Sequence, residues 1–400
     1  MILMQNLCKQ LTFLTGTPEG LCAAPQTPAL PMFSERATGF LAALSGELLR
    51  DSRTRSMPDV LSYAYWIRKS SLHSAMQKCS DRDRRLGRGI ALHIAPSNVP
   101  VNFAVSMTSS LLAGNITVIR VSDKPFTQVE VICDAIRKLT AGEFADMEKY
   151  LFILRYPHND EITAALSAIC DLRIIWGGDR TIADIRRAPL PPRAIEMTFA
   201  DRHSIAVIHA EEYLLQDAET VAKGFYTDTY YTDQNACSSP RFVIWLGTHT
   251  DEARARFWKT LEKLVHRDYD MKPIQAVDKY AMLCKLGMDR KGVRLLDSDN
   301  TVMRIEVDAL TADLPAYKLG GGYFLEYVAG SVQEILPLLS KRCQTVSVLG
   351  VEKSEILALV MQNGVRGVDR IVPLGETMGL EFIWDGYKMI ETMTRLVYYF

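Results

Sequence analysis

The sequence predicts an α/β protein of two domains, with parallel sheets covered by helices on both faces. Three observations carry this. Short apolar runs alternate with helix-period segments from residue 89 to residue 210. The runs are continuously apolar, as in strands buried on both faces, rather than alternating as in half-solvated ones. The chain has 400 residues, beyond the ~250–300 at which one hydrophobic core stops growing.

The elements follow in order. Residues 1–33 hold four prolines and little periodicity, and read as an irregular N-terminal arm. Ser34 caps a helix over 35–50 whose apolar positions include Phe40, Leu41, Leu44 and Leu48. Pro58 opens a second helix through Tyr63, Trp66, Ile67 and Leu72. Strands at 89–95, 116–121, 151–156 and 172–176 then alternate with helices over 101–113, 126–139 and 160–169 and one from Asp179, Gly114 ending the first of them. These make a first domain over 34–201. A second, over 202–375, has strands at 205–210, 241–246, 302–307, 323–328 and 344–349. Its helices run over about 215–230, 250–266 and 354–362. Residues 376–400 form a tail.

Composition narrows the function classes. The formal net charge of −1 gives no reason to expect a polyanion as partner, and nucleic acid is excluded. Arg82, Arg84, Arg85 and Arg88 cluster, but Asp81 and Asp83 interleave with them, as on a solvated turn. No apolar run reaches the ~18 residues of a membrane span. Gly16, Pro18, Glu19 and Gly20 interrupt the apolar start before it makes a signal segment, so the protein reads as cytoplasmic. The eight cysteines show no C-x-x-C pair, so neither a metal site nor a redox pair is expected. Cys133 and Cys170 sit in helical apolar contexts and read as core.

Cys237 does not. In TDTYYTDQNACSSPRFVIW it follows small polar residues and directly precedes an apolar strand, a loop setting suited to chemistry. Asn98, in HIAPSNVPVNF, lies between Pro96 and Pro100, which stiffen the backbone and would present its amide in a fixed orientation, as an oxyanion donor requires. Arg120 and Ser122 fall at the far end of a strand, where open α/β sheets bind ligands. Gly177 and Gly178 stand between a strand and a helix, a place for phosphate, with Asp179 next to them as a helix cap. Gly320-Gly321-Gly322 reads as a flexible turn. Taken singly, each has a plain alternative: an idle loop cysteine, a turn asparagine, a surface arginine.

Their order is what distinguishes them. IAPSNVP (94–100), AGNITVIRVSD (113–123), IWGG (175–178) and QNAC (234–237) together resemble the aldehyde dehydrogenase superfamily. DQNACSSPRFV, WGGD, QTVSVLG (344–350) and RIVPLGETMGLEFIWDG (370–386) are similar to the acyl-CoA reductase (fatty acid reductase) family known from bacterial luminescence, over about residues 60–400. The resemblance implies two Rossmann-like α/β domains with a β-ribbon and C-terminal oligomerisation element, the ribbon near 82–94. It implies Cys237 as nucleophile and Asn98, with the Cys237 backbone N–H, as oxyanion hole. Ile94 and Ser97 would border the nicotinamide half of the site, Arg120 and Ser122 the adenosine ribose, and Gly177 and Gly178 the cofactor-side helix. The cofactor implied is NADPH, the substrate a fatty acyl-CoA or acyl-protein with CoA as leaving group. An acyl-protein synthetase is the implied partner. The apolar end, Leu396 to Phe400, points to a homodimer or larger.

One departure matters. Where aldehyde-oxidising members carry a glutamate base, this chain has Phe199. Hydrolysing an acyl-enzyme needs a base to activate water; reducing it needs hydride, so the loss favours reduction. Glu196 and His203 are the nearby candidates for a substitute base, and Glu326 the nearest for the superfamily's later cofactor-ribose glutamate. Two other readings stay open: a cysteine acyltransferase or thioesterase without nicotinamide, and a non-catalytic subunit of an acyl-activating complex.

Overall fold

The structure is a computed structural model describing residues 7–297 and 299–399; residues 1–6 of the arm and Phe400 of the apolar end lie outside the described residues. The chain forms two compact units, one running up to Ala200 and resuming at Leu380, the other from Asp201 to Gly379.

In chain order the first unit contributes β1 (Thr12–Thr15), β2 (Arg85–Gly87), β3 (Ile90–Ile94), β4 (Ile116–Arg120), β5 (Leu151–Arg155), β6 (Leu172–Trp176) and β7 (Ile195–Phe199). All but β2 join one sheet, in the order β1-β5-β4-β3-β6-β7, parallel except for β1. The chain lays β4 and β5 to one side of β3 and then crosses to place β6 and β7 on the other. That reversal is the switch point at which open sheets leave a crevice beyond their carboxyl ends.

Helices cover the sheet as the periodicity implies. Glu35–Arg50 starts at Ser34, whose Oγ accepts from the Ala37 N–H, and buries Phe40, Leu41, Leu44 and Leu48. Asn102–Ala113 is buried from Phe103 to Ala113, the hydroxyls of Ser106, Thr108, Ser109 and Ser110 included. It ends at Gly114 with φ 89°, where a Cβ would come within 2.0 Å of the Leu30 carbonyl oxygen. Only glycine allows that approach.

Two expectations need revision. The helix from Pro58 breaks at Ile67 and Arg68 into Pro58–Trp66 and Lys69–Lys78, with Leu72 on the second. The first 33 residues are more regular than their prolines imply: β1 pairs with β5, and the Leu30 and Phe33 N–H groups donate to the carbonyls of Gly114 and Leu112 at 2.8 and 2.7 Å. Pro18 and Pro25 occupy helix starts, where no backbone donor is lost.

The second unit contributes β8 (His203–His209), β9 (Pro240–Leu246), β10 (Val293–Leu295), β11 (Met303–Val307), β12 (Tyr323–Val328), β13 (Cys343–Leu349) and β14 (Arg370–Pro373). Their order is β10-β11-β12-β9-β8-β13-β14, parallel except for β10. Alternate residues feed two cores: Phe242 and Ile244 of β9 pack on one face, Val243 and Trp245 on the other. The predicted helix over 215–230 is Ala218–Thr229, and a short helix, Ala210–Leu214, precedes it. The helix Pro273–Asp289 escapes sequence reading because its apolar residues are not confined to one face; Ile274, Val277 and Met288 are exposed.

The tail returns to the first unit. β15 (Ile383–Trp384) and β16 (Tyr387–Lys388) pair as a short ladder, and β17 (Thr394–Leu396) pairs with β2. The ribbon is therefore Arg85–Gly87 against the chain's own tail. Residues 90–94, placed in the same stretch by the resemblance, form the central strand β3 and are fully buried.

A buried ion cluster fixes the aromatic face of the second sheet. Glu326, at zero exposure on β12, accepts from the indole N–H groups of Trp245 and Trp258 at 3.0 and 2.9 Å. It also accepts from Arg254 Nε at 3.1 Å and Arg304 Nε at 2.7 Å. Breaking a buried pair by neutralising one partner strands the other charge, at about 3–5 kcal/mol. Glu326→Gln should lose stability of that order in urea unfolding followed by tryptophan fluorescence. A loss below ~1 kcal/mol would show that the carboxylate charge is not what holds the cluster.

Candidate active site

The residues nominated for the cofactor gather at one edge of the first unit. Ile94 ends β3 and lies in register with Arg120 at the end of β4 and Ile175 near the end of β6. Ser97 and Asn98 are exposed in the bend after β3. Arg120 lies over the Tyr156 ring, 5.2 Å from its centre, and donates Nη2 to the Tyr156 carbonyl at 3.4 Å. Its Nε is buried without a hydrogen-bond partner. Ser122 Oγ accepts from the Lys124 N–H at 3.2 Å, and Lys124 Nζ reaches the Ser97 carbonyl at 3.4 Å, tying the loops after β3 and β4 together. Gly177 and Gly178 follow β6, and Gly178 precedes the helix Asp179–Ile185. A Cβ on Gly177 would press on Thr181 at 3.0 Å, while the space above Gly178 is open.

These ends flank the switch point of the sheet. An unpartnered buried N–H on a cation, two glycines at a strand–helix junction and a crevice between β3 and β6 fit a dinucleotide.

Position 199 holds an aromatic stack. Phe199 lies 3.7 Å from Trp176, nearly parallel, with Tyr387 edge-on at 5.7 Å. Trp176 in turn donates to Ser106 Oγ at 3.0 Å, which also meets His93 Nδ1 at 2.6 Å. Burial drives the His93 pKa down to about 3, so the ring is neutral. Neither candidate substitute base is available. Glu196 is held by Arg173 and Arg186, each at 2.6 Å. His203 is buried, bonded to the Leu338 carbonyl at 3.1 Å and packed on Phe242, and burial lowers its pKa to about 4. Glu326, considered for the ribose, is consumed by the ion cluster.

In the second unit Cys237 is half-buried in the loop between the helix Ala218–Thr229 and β9. Two successive residues, Asp233 and Gln234, take left-handed conformations, φ 52° and 57°. The Gln234 side chain holds that shape. Its Oε1 accepts from the N–H groups of Gly322 and Tyr323 at 3.0 and 3.2 Å, and its Nε2 donates to the carbonyls of Pro240 and Tyr323 at 2.8 and 3.3 Å. Both donors and both acceptor sites of the amide are thus in use. The triple glycine, read from sequence as a flexible turn, is a close packing surface for this loop: a Cβ on Gly320 would meet the Asp233 carbonyl oxygen at 2.7 Å.

The cysteine is gripped from the neighbouring strands. Ser204 Oγ donates to the Cys237 carbonyl at 2.7 Å and accepts from the Thr345 N–H at 3.2 Å. Gln344 Nε2 donates to Cys237 Sγ at 3.1 Å. Arg241 is buried and donates to the Leu319 carbonyl at 2.6 Å. Gln234, Ser204, Gln344 and Arg241 had no role in the sequence reading. QNAC and QTVSVLG marked the segments of Gln234 and Gln344, but not what their amides touch.

The segment 374–379 closes the loop's other side. Ser238 Oγ lies 3.7 Å from Met378 Sδ, and buried Asp228 accepts from the N–H groups of Gly375 and Thr377 at 2.6 and 2.9 Å. Among the described residues, no group of three or more His, Cys, Asp or Glu side chains is placed to hold a metal ion. A cavity of about 510 Å³ lies in the first unit between Trp66, Cys79, Phe382 and Ile390 and contains none of the nominated residues.

A doubly wound unit with a switch point between β3 and β6, joined in sequence to a second unit with a thiol ahead of a central strand, defines the aldehyde dehydrogenase-like fold. Solved structures agree. An indole-3-acetaldehyde dehydrogenase complexed with NAD+ superimposes with a TM-score of 0.69 at 12% identity, over 95% of this chain and 86% of that one. A lactaldehyde dehydrogenase from Escherichia coli gives 0.67 at 12% identity, over 94% and 89%.

Within that fold the chain belongs to the acyl-CoA reductase (LuxC) family, whose model matches residues 53–396. It is 26% identical over 296 residues to a long-chain acyl-protein thioester reductase of Aliivibrio fischeri, covering 72% of this chain and 58% of that protein. It is 25% identical over 333 residues to one of Photorhabdus luminescens, covering 79% and 64%. The chain thus spans about three fifths of the length of these relatives.

Asp228 offers a pH test of the loop support. Burial raises its pKa to about 6, so the folded state binds a proton more tightly than the unfolded chain. The resulting stability is present in full below the ordinary carboxylate value, about 4, and is lost as pH rises through about 6. Relative to Asp228→Asn, the parent should gain stability on the order of 2–3 kcal/mol as pH falls from about 7 to about 4. Parallel melting curves against pH for the two proteins would show that Asp228 is not the titrating group.

Proposed function

We propose that this chain reduces a fatty acyl thioester, acyl-CoA or acyl-protein, to the aldehyde through an acyl-enzyme on Cys237, with NADPH as reductant. The observation that carries the reading is a part-exposed thiol on a loop pinned at its backbone and its sulfur. Membership of the acyl-CoA reductase family and the names of the relatives support the substrate class.

The Cys237 thiolate attacks the acyl carbon; the new C–S bond forms, the donor's C–S bond breaks, and the donor leaves as a thiol. Asn98, by its place in the motif, and the Cys237 N–H bear the charge that builds on the acyl oxygen. Ile94, Ser97, Arg120, Ser122, Gly177 and Gly178 would hold the cofactor. When bound, the reduced nicotinamide supplies the hydride. Hydrolysis is disfavoured because Phe199 is buried in a stack and Glu196 and His203 are engaged elsewhere. An acyl-protein synthetase as donor partner, and pairing of copies through the exposed tail around Tyr398 and Tyr399, belong to the same proposal.

The test is NADPH oxidation across acyl-CoAs of graded length. Cys237→Ala should abolish turnover, and Asn98→Ala should lower kcat by about 10²–10³-fold. Only Asn98→Ala should still trap a labelled acyl group. Full activity in Cys237→Ala would overturn the mechanism. Labelling at Cys237 with no change in NADPH absorbance would point to an acyltransferase, and no affinity for NADPH or NADH to a non-catalytic subunit. For the assembly, light scattering should report a dimer or larger, and a stable monomer would overturn that part.

A further inference from the structure

We propose that Gln344 is the positioning residue that ionises Cys237, its amide N–H holding the sulfur as a thiolate ready for acylation. This rests on the reading of Cys237 as nucleophile and adds how the thiol is activated.

The contact is direct, 3.1 Å from Nε2 to Sγ, and Gln344 has no exposed surface. A thiol sulfur is a weak acceptor and a thiolate a strong one, so a donor fixed on the sulfur favours the charged form. The amide is held facing the right way: Thr345 Oγ1 donates to Gln344 Oε1 at 3.4 Å, leaving the NH₂ end toward sulfur. The backbone is shaped for it. The ladder between β13 and β8 slips its register between Cys343 and Val346, and Gln344 and Thr345 occupy the slip. Such irregularities re-aim side chains beside active sites. In a regular strand, neighbouring side chains point to opposite faces. Here Gln344 holds the cysteine's sulfur, while the Thr345 N–H holds Ser204, which in turn holds the cysteine's carbonyl.

The surrounding charges agree in sign. Arg241, four residues beyond Cys237, is buried; burial lowers its pKa to about 10, and Asp201 and the charge of Cys237 act against that lowering. Of the other charged groups at these strand starts, Asp201 pairs with Lys318 and Arg202 with Asp369, Arg370 donates to the Thr377 and Gly379 carbonyls, and Lys341 and Arg342 are exposed.

The readout is the pH dependence of Cys237 alkylation by iodoacetamide in the whole protein, quantified at the Cys237 peptide by mass spectrometry from about pH 6 to about pH 10. Gln344→Met keeps the length and removes the donor. Its alkylation midpoint should rise by about one pH unit, and its rate at neutral pH should fall on the order of tenfold. Gln344→Glu should raise the midpoint further. Asp369→Asn should leave it in place. Coincident profiles for Gln344→Met and the parent would overturn the proposal; if the Met variant does not fold, an unmoved midpoint in Gln344→Glu does so. Either result leaves the reductase reading standing. Full activity in Cys237→Ala would sink that reading without touching the alkylation profile.

Discussion

The second unit depends on one amide. Gln234 ties the start of β12 to the start of β9 through four backbone groups, and does so from a left-handed position that an isolated chain would rarely take. Two consecutive residues in that region are strained, and such strain persists only where the surroundings over-determine it. The surroundings here are the buried amide, the glycines that let residues 320–322 approach the loop, and Lys279, whose ammonium bonds the carbonyls of Asn300 and Gly321 from beneath. Without Gln234, four buried backbone groups lose their partners. The loop that aims Cys237 would then have no reason to keep its shape.

The two units present different ends of their sheets. In the first, every nominated cofactor residue ends or follows a strand, as the crevice rule for open sheets leads one to expect. In the second, the residues of the cysteine's grip precede or begin strands: Ser204 is second in β8, Cys237 stands before β9, Gly320 to Gly322 before β12, and Gln344 is second in β13. All four strands run parallel, so their starts lie along one edge. The loops there carry the grip on the thiol. Hydrogen bonds from two different strands reach the cysteine's carbonyl and sulfur, which fixes the side chain more firmly than its own loop could.

This contrast explains what the sequence allowed one to read. The strands of both units are continuous apolar runs, and their positions follow from period alone; so do Ser34 as a cap and Gly114 as a stop. The candidate cofactor residues of the first unit stood out because they are of telling types at the expected end of strands. The second was legible only at Cys237. A glutamine in QTVSVLG is chemically mute until its register against β8 is known, and that register is irregular just there. The triple glycine misled for the same reason: a close approach between segments far apart in sequence leaves the same signature as a flexible turn. The helix Pro273–Asp289 was lost because its exposed apolar residues blur the stripe.

Carboxylates teach the complementary point. By type and position, Glu196 and Glu326 invite functional assignment, one as a base and the other as a sugar ligand. The structure spends both on cations, Glu196 on Arg173 and Arg186, Glu326 on Arg254, Arg304 and two indoles. A carboxylate with every oxygen engaged by a cation is a poor proton acceptor, since taking a proton would strand the partners. Phe199, which the resemblance sets at the place of a base, is a ring stacked on Trp176. At Cys237 the structure shows donors, the Gln344 amide on the sulfur and the Ser204 hydroxyl on the carbonyl, with the charge of buried Arg241 acting on the residue. Donors stabilise anions and move no protons. On the proposed reading of Cys237 as nucleophile, such donors would favour its thiolate.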